Sequence, residues 1–368
     1  VKKVFAFNLP KNENFFGYYM DSLDPFPYFN QNPYGDWRDF LNGGITRWSK
    51  KRNFGFMHEL DVLYRNRDKS YMRYISDFLD KFKDFDIFVM STYNPIHPEI
   101  LSKYFKDKIK ILGFIDDPYS TYQRGIPELW AFDGAFYISP SYSDTDLFSD
   151  SLEKWGCHNH KWLPLCPKSI LLPEPNDAFF ANRTLEIIYV GNYIGYTANS
   201  KMNRLVQLKK HFGSRLQIHG RWPFKGYIGY IRALIGKPIF PHRITGISND
   251  ERERLYFNTK IGLNMHVSPT PTETGNMRMY ETPYHGMMQV CDKAGVNVHE
   301  QIYKPDTECV YYDNTDDAID IIEYYLLHDD ERIKIAKAGF ERTIKDYNWE
   351  NNWKSLLDWA SGLKNESR

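Results

Sequence analysis

The sequence predicts an α/β protein made of two doubly wound domains in succession. Short apolar runs of strand length alternate with segments of helical spacing along most of the chain, the pattern of parallel sheets crossed by helices. One Pro-punctuated stretch, Leu163 to Ala178 with Pro164, Pro167, Pro173 and Pro175, interrupts the alternation and reads as an extended interdomain connection. At 368 residues the chain is long enough for two cores of ordinary size.

The elements follow in order. Lys3 to Phe7 reads as an opening strand. Phe15 to Gly44 is rich in Asn, Pro, Gly and aromatics with weak periodicity; it reads as irregular structure, and its aromatic content argues against disorder. Between Lys69 and Phe85 the apolar residues Met72, Ile75, Phe78, Leu79 and Phe82 recur at helical spacing. Ile87 to Met90 is a buried strand, Pro98 to Tyr104 a helix, and Ile109 to Phe114 a strand that leads into Asp116-Asp117-Pro118. Phe136 to Ile138 is the next strand, with a Ser-rich helix start at Ser143.

Beyond the connection, the strands are Ile187 to Val190, Leu216 to His219, Ile261 to Met265, Met288 to Cys291 and Val310 to Tyr312. The helices are Lys201 to Phe212, Asp250 to Thr259, Arg278 to Gly286, Asp316 to Leu327, Asp330 to Tyr347 and the Trp-containing Trp349 to Leu363. The expected domains are therefore 1–178 and 179–347, with 348–368 as a last helix that crosses back to the first.

Lys plus Arg equals Asp plus Glu at 47 each, which argues against a globally basic nucleic-acid binder. Cys157, Cys166, Cys291 and Cys309 form no CxxC pair and no zinc spacing, as expected of a reduced, cytoplasmic protein. No apolar run is long enough to span a bilayer, and no signal-peptide core stands at the start. The stretch Arg221 to Arg243 interleaves Arg and Lys with Trp222, Phe224, Tyr227, Tyr230 and Phe240. It reads as a solvated surface helix, or as a peripheral contact with the inner face of a membrane or a lipid-linked acceptor.

The chemistry concentrates in ETGNMRMYETPYHG. Glu273 and Glu281 stand eight positions apart after the strand Ile261 to Met265, so both can face one ligand at that strand's C-terminal edge. Between them Gly275, Asn276 and Arg278 lie at a helix start, where exposed N–H groups and a guanidinium suit a diphosphate. Carboxylates that accept sugar hydroxyls beside donors that hold phosphate are what a nucleotide-sugar site requires. Gly191 and Asn192 follow a strand, where glycine admits a ligand close to the backbone, with a plain tight turn as the alternative. Arg221, in HGRWP, also follows a strand and could meet the diphosphate. Asp116 and Asp117 close a strand of the first domain, where a carboxylate could take an acceptor hydroxyl's proton; Asp before Pro is also ordinary turn chemistry. His97 and His266 are alternatives, with a structural histidine as the ordinary reading, and Gly43-Gly44 could supply amide donors or form a plain turn. Asp144-Thr145-Asp146 has the form of an Asp-x-Asp metal motif but reads as a helix cap.

Two βα domains, a Pro-rich link and a returning last helix describe the GT-B architecture: two Rossmann-like doubly wound domains facing a central cleft. The segment from about Leu185 to Leu363 resembles nucleotide-sugar glycosyltransferases of that fold, in particular the CgeB-like, spore-maturation-type group. IIYVGN at 187–192, LNMH at 263–266, NMRMYETPYHG at 276–286 and the tail from Cys309 to Trp353 carry the resemblance. The first half matches only through DDP at 116–118 and FDGAFYISPS after it. In retaining members with a Glu-x7-Glu motif the second Glu binds the donor ribose, which implies that role for Glu281. The first contacts the donor sugar, and Glu273 stands in its place, followed by Thr274-Gly275-Asn276 where the group has Gly-Phe-Gly.

The resemblance implies a retaining, metal-independent glycosyltransferase with no cofactor beyond its nucleotide-sugar co-substrate. Its acceptor would be a glycan, glycolipid or glycoconjugate, bound by the first domain. The competing readings are an inverting transferase with Asp117 as general base and a non-catalytic sugar-binding protein.

Overall fold

The computed structural model describes residues 4–7, 56–81, 86–91, 96–114, 125–141, 146–167, 175–191, 198–220, 246–266, 275–293 and 299–366. The chain divides into two compact units. Val1–Pro140, Leu147–Pro164 and Trp349–Arg368 form one, and Ser141–Asp146 with Leu165–Asn348 form the other.

In the first unit, β1 (Val4–Phe7), β2 (Ile87–Ser91), β3 (Ile109–Phe114), β4 (Gly134–Tyr137) and β5 (His160–Trp162) make a five-stranded parallel sheet in chain order. All residues of β3 are buried, which a strand tolerates only when both sheet faces are covered. Phe88 and Met90 of β2 share one core with Leu60 of α1 (Phe56–Arg65), Tyr71 and Ile75 of α2 (Lys69–Lys81), and Ile100 and Leu101 of α3 (Pro98–Tyr104). The helix expected at Ser143 begins in the described residues at Phe148; in α4 (Phe148–Lys154), Phe148 stacks on Tyr137 at 5.0 Å.

In the second unit, α5 (Asp177–Ala181) opens within the stretch read as extended, because Asn176 accepts from the Phe179 amide and caps a short helix. The sheet comprises β6 (Leu185–Val190), β7 (Leu216–His219), β8 (Thr259–Asn264), β9 (Met288–Asp292) and β10 (Val310–Tyr312), all parallel, in the order β10-β9-β8-β6-β7.

On one face Ile187, Tyr189, Ile261, Leu263, Val290 and Tyr312 join a buried cluster with residues of four described helices. These are α5, α6 (Ala198–Phe212), α10 (Thr315–Leu327) and α11 (Asp329–Asp346); α7 (Asn249–Asn258), α8 (Met277–Tyr284) and α9 (His299–Ile302) lie between α6 and α10 in the chain. On the other face Ile188 packs with Tyr256 of α7 and with Met287. The last helix, α12 (Trp349–Glu366), returns to the first unit, packs on β3 and buries Leu356 and Ala360. Among the described residues no helix is long and apolar enough to cross a membrane.

Candidate functional site

The second sheet changes direction between β6 and β8. The chain leaves β6 for β7 on one side and returns to β8 on the other. In open α/β sheets ligands bind at the C-terminal ends of the strands beside such a reversal.

Arg278, in the first turn of α8, occupies that point. Its Nη1 donates to the Val190 carbonyl at the end of β6 (3.0 Å) and its Nη2 to the Met265 carbonyl just past β8 (3.2 Å). The guanidinium carbon lies 4.8 Å from the centre of the Tyr189 ring, a cation–π contact. No ion pair joins Arg278 to a carboxylate among the described residues, and its Nε is buried without a hydrogen-bond partner. Burial opposes the charge, but Tyr189, Tyr256, Glu281 and Asp292 outweigh it and hold the pKa above the ordinary value. The result is a fixed positive charge at the switch point. Gly191 is shaped by it: a Cβ there would lie 2.5 Å from the Tyr189 hydroxyl and 2.8 Å from Arg278 Nη1.

Gly275 adopts a φ of 91° and leads into Asn276, the N-cap of α8. The Asn276 side chain accepts from the Met279 amide at 3.2 Å, so its oxygen serves the helix, while its amide nitrogen is buried without a partner among the described residues. One turn further on, Glu281 is 4% exposed. Its Oε1 lies 3.2 Å from Arg252 Nη2 on α7. Burial pushes the Glu281 carboxyl above its ordinary pKa; Arg252 and Arg278 pull against that, and Glu253 adds to it.

His266, past the end of β8, is tied to Asp292 at the end of β9. Its backbone N–H donates to both Asp292 oxygens (3.0 and 3.1 Å), and Nδ1 meets Oδ1 at 2.8 Å. Arg204 of α6 donates to Asp292 Oδ2 at 2.9 Å. Burial alone would raise the Asp292 pKa, but His266 and Arg204 outweigh it and hold the carboxyl below the usual range. Nδ1 donates to the ionised Asp292, and Nε2 is buried without a partner among the described residues.

His266, Cys291 and Asp292 are close enough to suggest a metal site. Their chemistry does not suit one. Asp292 already accepts from the Arg204 cation, Nδ1 faces Asp292, and burial drives the Cys291 thiol far above its ordinary pKa, so it stays protonated.

His97, in the first unit, serves structure: it caps α3 by accepting from the Glu99 amide, meets Asp61 through Nε2 at 3.1 Å, and stacks on Tyr64. Glu273, Asp116, Asp117, Asn192 and Arg221 lie outside the described residues, as do Gly43, Gly44, Asp144 and the basic-aromatic stretch 221–243.

Comparison with known proteins bears on this arrangement. Residues 201–358, which hold Arg204, Arg252, Arg278, Glu281 and Asp292, match a family described as glycosyl transferase-like. No curated protein matches the chain. Among solved structures, Anabaena HepE in complex with UDP and glucose aligns with a TM-score of 0.65 at 10% identity, over 98% of this chain and 100% of that one. A glycosyltransferase from Rickettsia africae aligns at 0.61 with 12% identity, covering 98% of each chain. TarM, also solved from S. aureus with UDP, aligns at 0.58 with 13% identity, over 79% of this chain; the chain spans 57% of TarM's length. At these identities the likeness is one of fold. The protein has a GT-B glycosyltransferase fold.

Within the GT-B fold, several site residues escape sequence reasoning. Arg252 sits in Asp250-Glu251-Arg252-Glu253-Arg254, a charge run that reads as a solvated face. Arg204 and Asp292 meet across 88 positions of sequence, and nothing local marks them as partners. Tyr189 is one buried strand residue among several. The signal that could have found it is its place just before Gly191.

Proposed function

We propose that this protein transfers a sugar from a nucleoside-diphosphate donor to a hydroxyl of a glycan, glycolipid or other glycoconjugate. The second unit would bind the donor and the first the acceptor. The observation that carries the reading is Arg278: a cation with no carboxylate partner among the described residues, fixed by two carbonyls where the strand order reverses. A diphosphate supplies the missing negative charge.

Glu281, one helical turn away and buried, accepts the ribose hydroxyls. Gly191, Asn192, Gly275, Asn276, Arg221 and His266 line the diphosphate and sugar around it, and Glu273 contacts the donor sugar. The bond from the anomeric carbon to the diphosphate oxygen breaks, and a bond to the acceptor oxygen forms on the same face. The acceptor proton leaves with the diphosphate, or through Asp116 or Asp117. Charge builds on the departing diphosphate, and a preorganised cation such as Arg278 stabilises it without a metal ion. Retention is the outcome that the resemblance to retaining Glu-x7-Glu members implies.

The test is turnover. Purified protein incubated with nucleotide sugars and glycan acceptors, in chelator, should release nucleoside diphosphate and form a product whose anomeric proton coupling matches the donor's. Inverted product would refute retention. Activity that appears only with added divalent metal would refute metal independence.

A further inference from the structure

Glu281 is held from outside its own helix. Arg252, on the neighbouring α7, points Nη2 at Glu281 Oε1 across 3.2 Å, with the glutamate side chain 5% exposed and the arginine 21%. Ser248 caps α7 by accepting from the Glu251 amide, and Tyr256 anchors the helix behind Ile188. The Arg252 backbone is thereby fixed. Arg278 is the other cation near Glu281, but its two terminal nitrogens hold the Val190 and Met265 carbonyls. Among the described residues, Arg252 is thus the one that meets the carboxylate directly.

We propose that Arg252 is a positioning residue for donor recognition, which fixes one Glu281 oxygen and keeps the carboxylate ionised to receive ribose hydroxyls. This rests on the reading above that Glu281 meets the ribose. The physical need is specific. A buried carboxyl prefers its neutral form, and a neutral acid makes weaker hydrogen bonds to a hydroxyl than a carboxylate does. The groups that face Glu281 are Arg252, Glu253 and Tyr256 from α7, and Arg278 from α8. His285, whose Nδ1 meets the Glu281 carbonyl, is pulled down to about 4 by burial and is neutral above that pH. Glu253 repels the charge, so the two arginines alone favour ionisation, and Arg252 leads.

The experiment compares binding of ribo- and 2′-deoxyribonucleoside diphosphates of uridine, guanosine, adenosine and cytidine by calorimetry across a range of pH. The proteins are wild type, Arg252→Met, Arg252→Lys and Glu281→Gln. Wild type should prefer one ribonucleotide over its deoxy form by about tenfold, the worth of a hydrogen bond to a charged group. Arg252→Met should lose that preference as Glu281→Gln does, yet still bind the diphosphate. The loss should be smallest at high pH, where Glu281 ionises without Arg252, so any preference left there should fade at a higher pH than in wild type. Arg252→Lys, which keeps the charge, should recover part of the preference, and is read alone if the Met variant does not fold.

An unchanged preference and pH profile in Arg252→Met, or in Arg252→Lys where the Met variant does not fold, would overturn the proposal while leaving the ribose role of Glu281 intact. No preference in wild type would remove both that role and this inference. No nucleotide binding in wild type would overturn the proposed function as well.

Discussion

Arg278 donates to the Val190 carbonyl at 3.0 Å, and so ties the first turn of α8 to the end of the strand where the sheet reverses. The same guanidinium reaches the Met265 carbonyl. One side chain therefore joins α8 to the ends of β6 and β8, and it does so while keeping its charge.

Arg278→Met should weaken nucleoside-diphosphate binding by about 10- to 100-fold, the range expected for a lost hydrogen bond to a charged group. Arg278→Lys should recover little, because a point charge cannot span both carbonyls as a planar fork does. Titration calorimetry on the folded variants measures both effects. Lysine at wild-type affinity would show that charge alone suffices.

Gly191→Ala places a methyl group against the Tyr189 hydroxyl and Arg278. Overpacking of this kind costs about 1–3 kcal/mol of stability. The displaced guanidinium should also weaken nucleotide binding. Urea unfolding and calorimetry on one preparation separate the two losses; a drop in stability with unchanged affinity would dissociate Gly191 from the site.

The strands and most helices were legible because their apolar periodicity is dictated by burial. β3 and β10 fall where the sequence places them, and α8 starts within a residue of its expected position. The roles of polar residues were less legible. Asn276, read among phosphate donors, gives its side-chain oxygen to the helix cap. Arg252 looks solvated in sequence and is turned inward by the packing of α7. Short elements such as β5 and α5 escaped because three to five residues carry too little periodicity to register.

Asp292 sets an acid limit. Its folded pKa lies below the unfolded value, because His266 and Arg204 outweigh burial. Its contribution to stability is therefore present above about pH 3.9 and is lost as pH falls through the folded value. Asp292→Asn should cost about 3 kcal/mol near neutrality, as expected for breaking a buried pair. It should also flatten the acid arm of a plot of Tm against pH. An unchanged acid arm would show that other carboxyls set it.

Arg183 supplies the contrast of a purely structural arginine. Buried at 5% exposure, it donates to the carbonyls of Phe179, Tyr256, Thr259 and His285. Arg183→Met should destabilise the fold by about 3 kcal/mol or more, since it strands buried acceptors. Nucleotide affinity of the folded protein should stay within about twofold, a difference of about 0.4 kcal/mol. A large affinity loss would mean that the donor site depends on this clamp.

The central claim is that the second unit binds a nucleoside diphosphate through Arg278 and Glu281. A thermal-shift screen of uridine, guanosine, adenosine, cytidine and thymidine diphosphates, with Glu281→Ala alongside, tests it most directly. Binding to the native state raises Tm by mass action. One base should raise Tm in the wild type, and that shift should be absent in Glu281→Ala. Folded wild-type protein that shifts with none of them would contradict it and favour a non-catalytic sugar-binding protein.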